Sequence, residues 1–294
     1  MIEKISVIIP NLHSPMIDKT IRSILEQKSS VPFEIIVVGM DKFKLVESFT
    51  DSVNFVETQR PTPPAKARNL GVDNADGDLI IFIDADCIAT PGWLGKHVQQ
   101  HENASDPIIV GGGVTFPNDH YLTLADNVSS FHEFMIHMPA AEKDFLPSLN
   151  LSIPRQIWDK VGGFDPEYPF PAGEDTELTM RIKKANYHLI FSPEAKIVHL
   201  PNRNSFGDLF KHAFRFGKYS IKANPAYQDV LYIPLPLRHW LLTALLSPIL
   251  SAGIIFKMLF IEALPIRYWH TIPIIYVIKI AWCFGFASQL KKEH

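Results

Sequence analysis

The chain has 294 residues, with 28 basic and 31 acidic side chains and a formal net charge of -3 at pH 7. Hydrophobic residues make up 47% of it, which excludes an intrinsically disordered protein, and the slight acidic excess argues against a nucleic-acid partner. The charge is uneven, because residues 228–294 carry six basic and three acidic side chains whereas residues 1–227 carry 22 and 28. We therefore predict two unlike parts that divide near residue 228.

The first hundred residues alternate between β-type apolar runs and amphipathic stretches. Strands are predicted at residues 5–10, 33–38, 53–56 and 79–83, and helices at 15–27, 64–74 and 92–103. This alternation predicts βαβ units. The fold class is therefore α/β, with a single mixed, mainly parallel sheet flanked by helices.

The alternation becomes less regular after residue 107. Further elements are predicted at residues 108–110 (strand), 115–148 (loop with some helix), 176–185 (helix) and 195–199 (strand). Residues 206–222 have an apolar face and a basic face, which predicts an amphipathic helix. This helix either lies on an anionic membrane leaflet or packs on the sheet.

The last quarter of the chain is the most apolar. Residues 241–256 contain no charge, and residues 272–290 contain only Lys279. A membrane span needs about 20 apolar residues, so both segments are borderline. We predict that residues 228–294 form hydrophobic helices associated with a membrane, either spanning it as a hairpin or lying in its interface. A buried helical subdomain of a soluble protein is the alternative.

Two carboxylates follow the predicted strand at 79–83. Asp84 and Asp86, on either side of Ala85, leave the carboxyl end of a parallel strand together, and ligands bind at that edge of open α/β sheets. A divalent cation prefers oxygen ligands, and a diphosphate binds such a cation. The spacing therefore indicates a metal–diphosphate site, with an ordinary turn as the alternative.

Three further positions carry groups that could act in the same site. Glu174 and Asp175 directly precede the helix predicted at 176–185, where a carboxylate is either a general base or a simple N-cap. Lys66 and Arg68 could meet a phosphate or a nucleobase, or could lie on a solvated helix surface. His199 ends a predicted strand, and a lone histidine is more often structural than a ligand.

Taken in order, five stretches resemble the pattern of glycosyltransferase family 2. They are Ile-Ile-Pro at 8–10, Ala-Arg-Asn-x-Gly at 67–71, Asp-Ala-Asp at 84–86, Gly-Gly-Phe-Asp at 162–165 and Gly-Glu-Asp-x-Glu-Leu at 173–178. The resemblance covers residues 3–220 and implies an inverting enzyme with the glycosyltransferase A fold and a nucleotide-sugar donor. Residues 1–227 would then be the catalytic domain.

The resemblance also implies roles for individual residues. Asp84 would face the nucleotide, Asp86 would hold Mg²⁺ or Mn²⁺, and Asp175, beside Glu174, would be the catalytic base. His199 matches a position where some members have a metal-binding histidine. The donor-binding set that follows is Pro10, Asn11, Asp41, Lys66, Arg68, Asp84, Ala85 and Asp86.

Two departures from the family pattern bear on specificity. Only Asp41 is acidic after the second strand, where the family usually has an acidic pair, so we favour UDP and leave GDP and dTDP open. Residues 212–216 lack the glutamine and tryptophan of the Gln-x-x-Arg-Trp motif found in processive members. This difference predicts a single sugar addition rather than polymerisation.

We therefore expect transfer of a sugar to a hydroxyl or phosphate acceptor, such as a lipid-linked or cell-envelope glycan. The two distant cysteines, Cys87 and Cys283, predict no disulfide and a reducing compartment. The catalytic domain is accordingly expected at the cytoplasmic face of the membrane. A nucleotidyltransferase and a non-catalytic scaffold remain as alternatives, and the oligomeric state stays open.

Overall fold

The structure is a computed structural model that describes residues 2–117, 120–220 and 238–293. It contains two compact units, each built from two stretches of chain. The sheet unit comprises Met1–Thr115 and Phe134–Leu200, and the helical unit comprises Phe116–Glu133 and Pro201–His294. The predicted boundary at 227/228 and the last two residues of the predicted 206–222 helix lie outside the described residues. The domain division at that boundary stays a prediction.

Mixed pairing characterises the sheet. Its strands are β1 (Ile5–Leu12), β2 (Phe33–Met40), β3 (Asn54–Glu57), β4 (Leu79–Ile83), β5 (Cys87–Ala89), β6 (Ile108–Thr115), β7 (Ala141–Glu142), β8 (Asn150–Pro154) and β9 (His188–His199). The strand order is β3-β2-β1-β4-β8-β6-β9-β5, with β7 beside β9. The longest ladders, β1 with β2 and β6 with β9, are parallel. The predicted mixed, mainly parallel sheet is confirmed.

Ten α-helices occur in the described residues. They are α1 (Ile17–Leu25), α2 (Pro64–Asp73), α3 (Trp93–Asn103), α4 (Tyr121–Phe131), α5 (Arg155–Val161), α6 (Glu174–Lys184), α7 (Phe206–Lys218), α8 (Trp240–Leu245), α9 (Ser247–Phe256) and α10 (Ile272–Glu293). The sheet unit contains α1, α2, α3, α5 and α6, and the helical unit contains the others.

The strands form because their side chains can be buried on both faces. Every residue of β4 is fully buried, as expected for a central strand made of leucine, isoleucine and phenylalanine. At the end of β2, Gly39 has φ +135°, and a Cβ at this position would overlap the backbone carbonyl of Asn11. The glycine therefore allows the carboxyl ends of β1 and β2 to approach closely.

The helical unit is organised around α10. A Cβ on Gly217 of α7 would overlap the carbonyl of Trp282, and a Cβ on Gly285 of α10 would overlap the carbonyl of Phe214. The two helices therefore pack backbone to backbone. Beside this crossing, an apolar cluster joins the same helices through the buried side chains of Leu209, Ala213, Ile278 and Ala281.

Within the residues that the structure describes, the apolar tail is helical, as predicted. Residues Ile266–Lys292 form a helical segment long and apolar enough to cross a membrane, with 44% of its most apolar window buried. Its central charge has a protein partner, because the Lys279 ammonium donates a 2.8 Å hydrogen bond to the Ser129 carbonyl of α4. Length and composition make this segment a candidate membrane span, and the Lys279–Ser129 hydrogen bond joins it to α4.

Candidate functional site

The carboxyl ends of β1, β2 and β4 meet at one edge of the sheet unit. The Asn11 amide donates to the Met40 carbonyl and accepts from the backbone N–H of Ser14. The hydroxyls of Ser14 and Thr20 both donate to the Ala85 carbonyl, at 2.8 and 3.2 Å. These bonds fix the backbone at Ala85, between Asp84 and Asp86. The positions from which both aspartate side chains extend are therefore defined.

A buried arginine connects two of the predicted motifs. The Arg68 side chain is 2% exposed and donates to Asp84 at 2.7 Å and to Glu174 at 3.0 Å. Its guanidinium also lies over the Phe164 ring, 5.3 Å from the centroid. Arg68 therefore acts within the protein as the bridge between two carboxylates. Lys66, two residues earlier on α2, is exposed.

Asn69 holds the Gly-Gly-Phe-Asp stretch against α2. Its amide donates to the Phe164 carbonyl and accepts from the Phe164 N–H, both at 2.8 Å. This pair of bonds satisfies both the N–H and the carbonyl of Phe164. Because Arg68 and Asn69 are adjacent, one turn of α2 positions both the loop at 162–165 and the start of α6.

The carboxylates at the start of α6 are in a polar but enclosed setting. Gly173, with φ +89°, is the N-cap residue, so Asp175 lies in the first turn and is not the cap itself. Asp175 accepts from the N–H of Thr176 at 2.7 Å and from that of Ser148 at 3.2 Å. These bonds orient both oxygens of the side chain, as a positioned catalytic carboxylate requires.

Burial changes the proton affinity of this acidic pair. Burial and the charge of Asp175 raise the pKa of Glu174 to about 7, against the opposing effect of the Arg68 guanidinium. The pKa of Asp175 is also raised by burial, and Arg68 again opposes the shift. The positive charge of Arg68 therefore opposes the effect of burial on the pKa of both neighbouring carboxyl groups.

Asp86, Cys87 and His199 form a compact cluster of metal-ligating groups. The Asp86 carboxylate lies 3.7 Å from His199 Nε2. One ligand atom from each of the three residues lies within 4.8 Å of the other two. The N–H of Leu200 donates to the Asp86 carbonyl at 2.9 Å, which joins the end of β9 to this turn. A carboxylate oxygen, an imidazole nitrogen and a thiol are donors that fit a divalent cation.

The remaining predicted donor-site residues occupy the same edge with fewer side-chain contacts. Pro10 lies in β1 opposite Val38 of β2. Asp41 follows β2 directly, and its Oδ2 accepts from the N–H of Val46 at 2.7 Å, which ties the loop after β2. The nucleobase role of Asp41 stays a prediction.

Comparison of the sequence with known protein families identifies the family of this chain. The sequence pattern described as Glycosyl transferase family 2 matches residues 6–162, more than half of the chain. The chain belongs to this family. Glycosyltransferase AglE of Haloferax volcanii is 30% identical over 160 residues, which are 53% of this chain and 50% of AglE. A glucosyl-dolichyl phosphate glucuronosyltransferase of the same organism is 26% identical over 163 residues, half of each chain. The chain thus spans about half the length of these curated relatives.

Solved structures share the fold at low sequence identity. A mannosyltransferase from Pyrobaculum calidifontis, in complex with GDP-Man and Mn²⁺, has a TM-score of 0.60 at 18% sequence identity. The match covers 94% of this chain and 85% of the mannosyltransferase chain. TarS 1-349 of S. aureus, in complex with UDP-GlcNAc, has a TM-score of 0.51 at 14% identity, with coverages of 99% and 91%. The predicted glycosyltransferase A fold is confirmed.

For this family 2 glycosyltransferase, sequence reasoning missed two residues that shape the site. Asn69 stood inside the quoted Ala-Arg-Asn motif, but only the structure reveals that it fixes the Phe164 backbone. Cys87 follows Asp86 directly, and only the pairing of β5 with β9 places it opposite His199. The available signal was a position inside a motif for Asn69 and a position next to a motif for Cys87.

Proposed function

We propose that this protein transfers a sugar from a nucleotide-diphosphate sugar to an acceptor hydroxyl or phosphate, with inversion at the anomeric carbon. The observation that carries the proposal is the Arg68 bridge. It links Asp84, on the donor side, to Glu174, the neighbour of the proposed base. Two motifs that are far apart in sequence therefore belong to one connected site, as a single-displacement reaction requires.

Asp175 is the proposed general base. It takes the proton from the acceptor as the acceptor oxygen attacks the anomeric carbon, while the bond from that carbon to the diphosphate breaks on the opposite side. Its two oxygens are oriented by the N–H groups of Ser148 and Thr176. Glu174 pairs with Arg68 and supports this position from the adjacent residue.

Asp86 and His199 are the proposed protein ligands of Mg²⁺ or Mn²⁺. Bound there, the ion would offset the negative charge that develops on the departing nucleoside diphosphate. The donor atoms of the cluster support this assignment, and so does the Mn²⁺ in the related mannosyltransferase structure.

The donor nucleotide is proposed to lie along the edge formed by Pro10, Asn11, Asp41, Lys66, Arg68, Asp84, Ala85 and Asp86. Arg68 would act on the donor indirectly, by pairing with Asp84, because its own guanidinium is buried. UDP remains the favoured nucleotide, and structures of the same fold hold either a UDP-sugar or a GDP-sugar. GDP and dTDP stay open.

The proposed acceptor is a lipid-linked glycan or a related cell-envelope molecule. One relative is named for action on a glucosyl-dolichyl phosphate, which is a lipid-linked sugar. The helical unit has large apolar side chains at the surface, including Leu245, Ile249, Ile261 and Ile266, which are 67–78% exposed. An apolar surface of this kind fits membrane attachment, and we place the catalytic unit on the cytoplasmic side.

The test compares Asp175→Asn with Asp86→Ala, using Asp144→Asn as an exposed control that lies outside the site. We expect Asp175→Asn to lower transfer by roughly 10²- to 10⁴-fold while metal-dependent nucleotide binding persists. Asp86→Ala is expected to weaken that binding, and the control is expected to do neither. Normal turnover by Asp175→Asn would exclude the base assignment.

Product analysis distinguishes glycosyl transfer from nucleotidyl transfer. Glycosyl transfer releases a nucleoside diphosphate and gives a product whose anomeric configuration is opposite to that of the donor. Release of pyrophosphate from a nucleoside triphosphate would instead identify a nucleotidyltransferase. Chromatography of the released nucleotide and the coupling constant of the anomeric proton provide the two readouts.

A further inference from the structure

The cluster that forms the proposed metal site also contains the sulfur atom of Cys87 in a defined position. β5 pairs antiparallel with β9, and in that register Cys87 lies directly opposite His199. Directly opposed residues of an antiparallel pair extend to the same face of the sheet. The thiol and the imidazole are therefore brought together by backbone pairing rather than by chance side-chain rotation.

The burial of the three groups gives the cluster a closed side and an open side. Cys87 is fully buried, the His199 side chain is 4% exposed and the Asp86 side chain is 32% exposed. The Cys87 sulfur lies 3.9 Å from Asp86 Oδ1. An ion that enters past Asp86 would therefore meet oxygen first, with nitrogen and sulfur behind it.

These separations fit shared coordination. Metal–sulfur and metal–nitrogen bonds are about 2.3 and 2.0 Å for a zinc-like ion, so two ligands of one ion lie between roughly 3 and 4 Å apart in common geometries. The Asp86–His199 and Asp86–Cys87 distances of 3.7 and 3.9 Å are in this range. Small side-chain adjustments would suffice to close the site around an ion.

We propose that Cys87 is a third protein ligand of the divalent cation, and that its sulfur makes the site favour thiophilic ions over Mg²⁺. The proposal rests on the proposed function only in that Asp86 and His199 hold the ion. Carboxylate oxygens suit Mg²⁺ and Mn²⁺, whereas imidazole and sulfur favour Co²⁺, Zn²⁺ and similar ions. On binding, the sulfur coordinates as a thiolate and its proton passes to solvent.

A competing explanation is that the Cys87 thiol only donates a weak hydrogen bond to the Asp86 carboxylate. The 3.9 Å separation is also compatible with that role. The two explanations differ in whether a metal–sulfur bond ever forms. A spectroscopic signal that requires this bond therefore separates them, whatever the effect of a substitution on activity.

The full chain in detergent is titrated with Co²⁺ in the absence of nucleotide, and the near-ultraviolet absorption is recorded. Sulfur-to-cobalt charge transfer should appear in the wild type, disappear in Cys87→Ser and persist in Cys283→Ser. Cys283 is the matched control, because it is the other cysteine of the chain and is also buried. Saturation with Co²⁺ without this absorption in the wild type would overturn the proposal.

Calorimetry with single ions gives a second readout. Cys87→Ser should weaken Cd²⁺ binding by roughly tenfold or more and leave Mg²⁺ binding nearly unchanged, because only the soft ion prefers sulfur. Equal losses for both ions, or for neither, would contradict the proposal. Thermal denaturation without metal, with Cys87→Ala as a second variant, checks that the fold is retained.

The outcomes also separate this proposal from the proposed function. If cobalt binds through sulfur but no nucleotide sugar is turned over, the ligand assignment stands and the activity does not. If metal-dependent transfer is observed while the charge-transfer band is absent, the activity stands and Cys87 is not a ligand.

Discussion

Arg68 carries a buried positive charge that pairs with two carboxylates of the candidate site. One guanidinium, without access to water, faces Asp84 on one side and Glu174 on the other. A buried charge of this kind is tolerable only when it is paired and hydrogen-bonded. The same pairing that makes Arg68 tolerable holds the carboxylates of Asp84 and Glu174 on either side of one guanidinium.

Glu174 should make the stability of the protein depend on pH. Its pKa is raised from 4.5 to about 7 in the folded chain, so the folded state binds the proton more tightly than the unfolded state does. The stabilising contribution is complete below pH 4.5 and is lost as the pH rises through about 7. Glu174→Gln, which keeps an oxygen for Arg68, should therefore flatten this fall in unfolding free energy.

The measurement is the urea-induced unfolding of wild type and Glu174→Gln between pH 4.5 and 8. Each pKa unit corresponds to about 1.4 kcal/mol. The unfolding free energies of the two proteins, plotted against pH, should therefore diverge by a few kcal/mol at most. Curves of the same slope would show that Glu174 keeps a similar proton affinity in both states.

The sequence does not predict which side chains of the candidate site pair with one another. The motif order predicts Asp84, Asp86, Glu174 and Asp175 as site residues, and their roles stay predictions. The Arg68–Glu174 pair joins positions 106 residues apart, and such a pair follows only from the arrangement of α2 and α6. Local patterns contain no information about which distant charge neutralises a buried one.

At the scale of elements, strands with apolar runs were predicted from the sequence, and a strand with buried polar residues was not. β4 was predicted with its observed bounds, Leu79–Ile83. β8, Asn150–Pro154, was missed because its asparagine and serine hide a buried central strand. Those polar side chains are satisfied internally, as when Asn150 accepts from the Trp93 indole.

The crossing of α7 and α10 depends on two glycines. Gly217→Ala or Gly285→Ala should push the helices apart, because the added methyl group would overlap a backbone carbonyl of the other helix. We expect the unfolding free energy to fall by about 1–3 kcal/mol. Amide hydrogen exchange in α7 and α10 measures the change.

Gly253 in α9 is the matched control, because nothing lies within 4 Å of a Cβ placed there. Gly253→Ala should be neutral or should stabilise by up to about 1 kcal/mol through helix propensity. If all three substitutions gave the same exchange rates, close packing at the crossing would not be what holds these helices.

At the scale of the whole molecule, the helical unit accounts for the unusual composition of the last quarter. We expect the full chain to partition onto vesicles that contain anionic lipid. Replacing Leu245, Ile249, Ile261 and Ile266 by serine should lower the partition coefficient by at least roughly tenfold, because each side chain loses apolar contact with lipid. Co-sedimentation with the vesicles measures the change.

The control replaces Leu12 and Phe43, two exposed apolar side chains of the sheet unit, by serine. Partition should then remain close to that of the wild type. Equal partition of the wild type and the fourfold variant would argue that this surface does not contact lipid, and would favour the alternative of a buried helical subdomain.

Composition alone predicted that the tail differs from the rest, but not where its partners lie. Residues 115–148 showed no clear period, and yet α4 within them belongs to the helical unit. Its contact with α10 includes the Lys279–Ser129 hydrogen bond, which spans 150 positions. Hydrophobic periodicity describes a helix by itself and cannot identify the helix that covers it.

The interleaved course of the chain has a consequence for biosynthesis. α4 is translated before the second half of the sheet unit, whereas α10, which packs against it, consists of the last 22 helical residues described. Contacts between distant positions form slowly, because the intervening chain must be ordered first. The nascent protein therefore carries α4 without its partner while the residues between Phe131 and Ile272 are still being made, and α4 and α10 can pack together only after α10 has been translated.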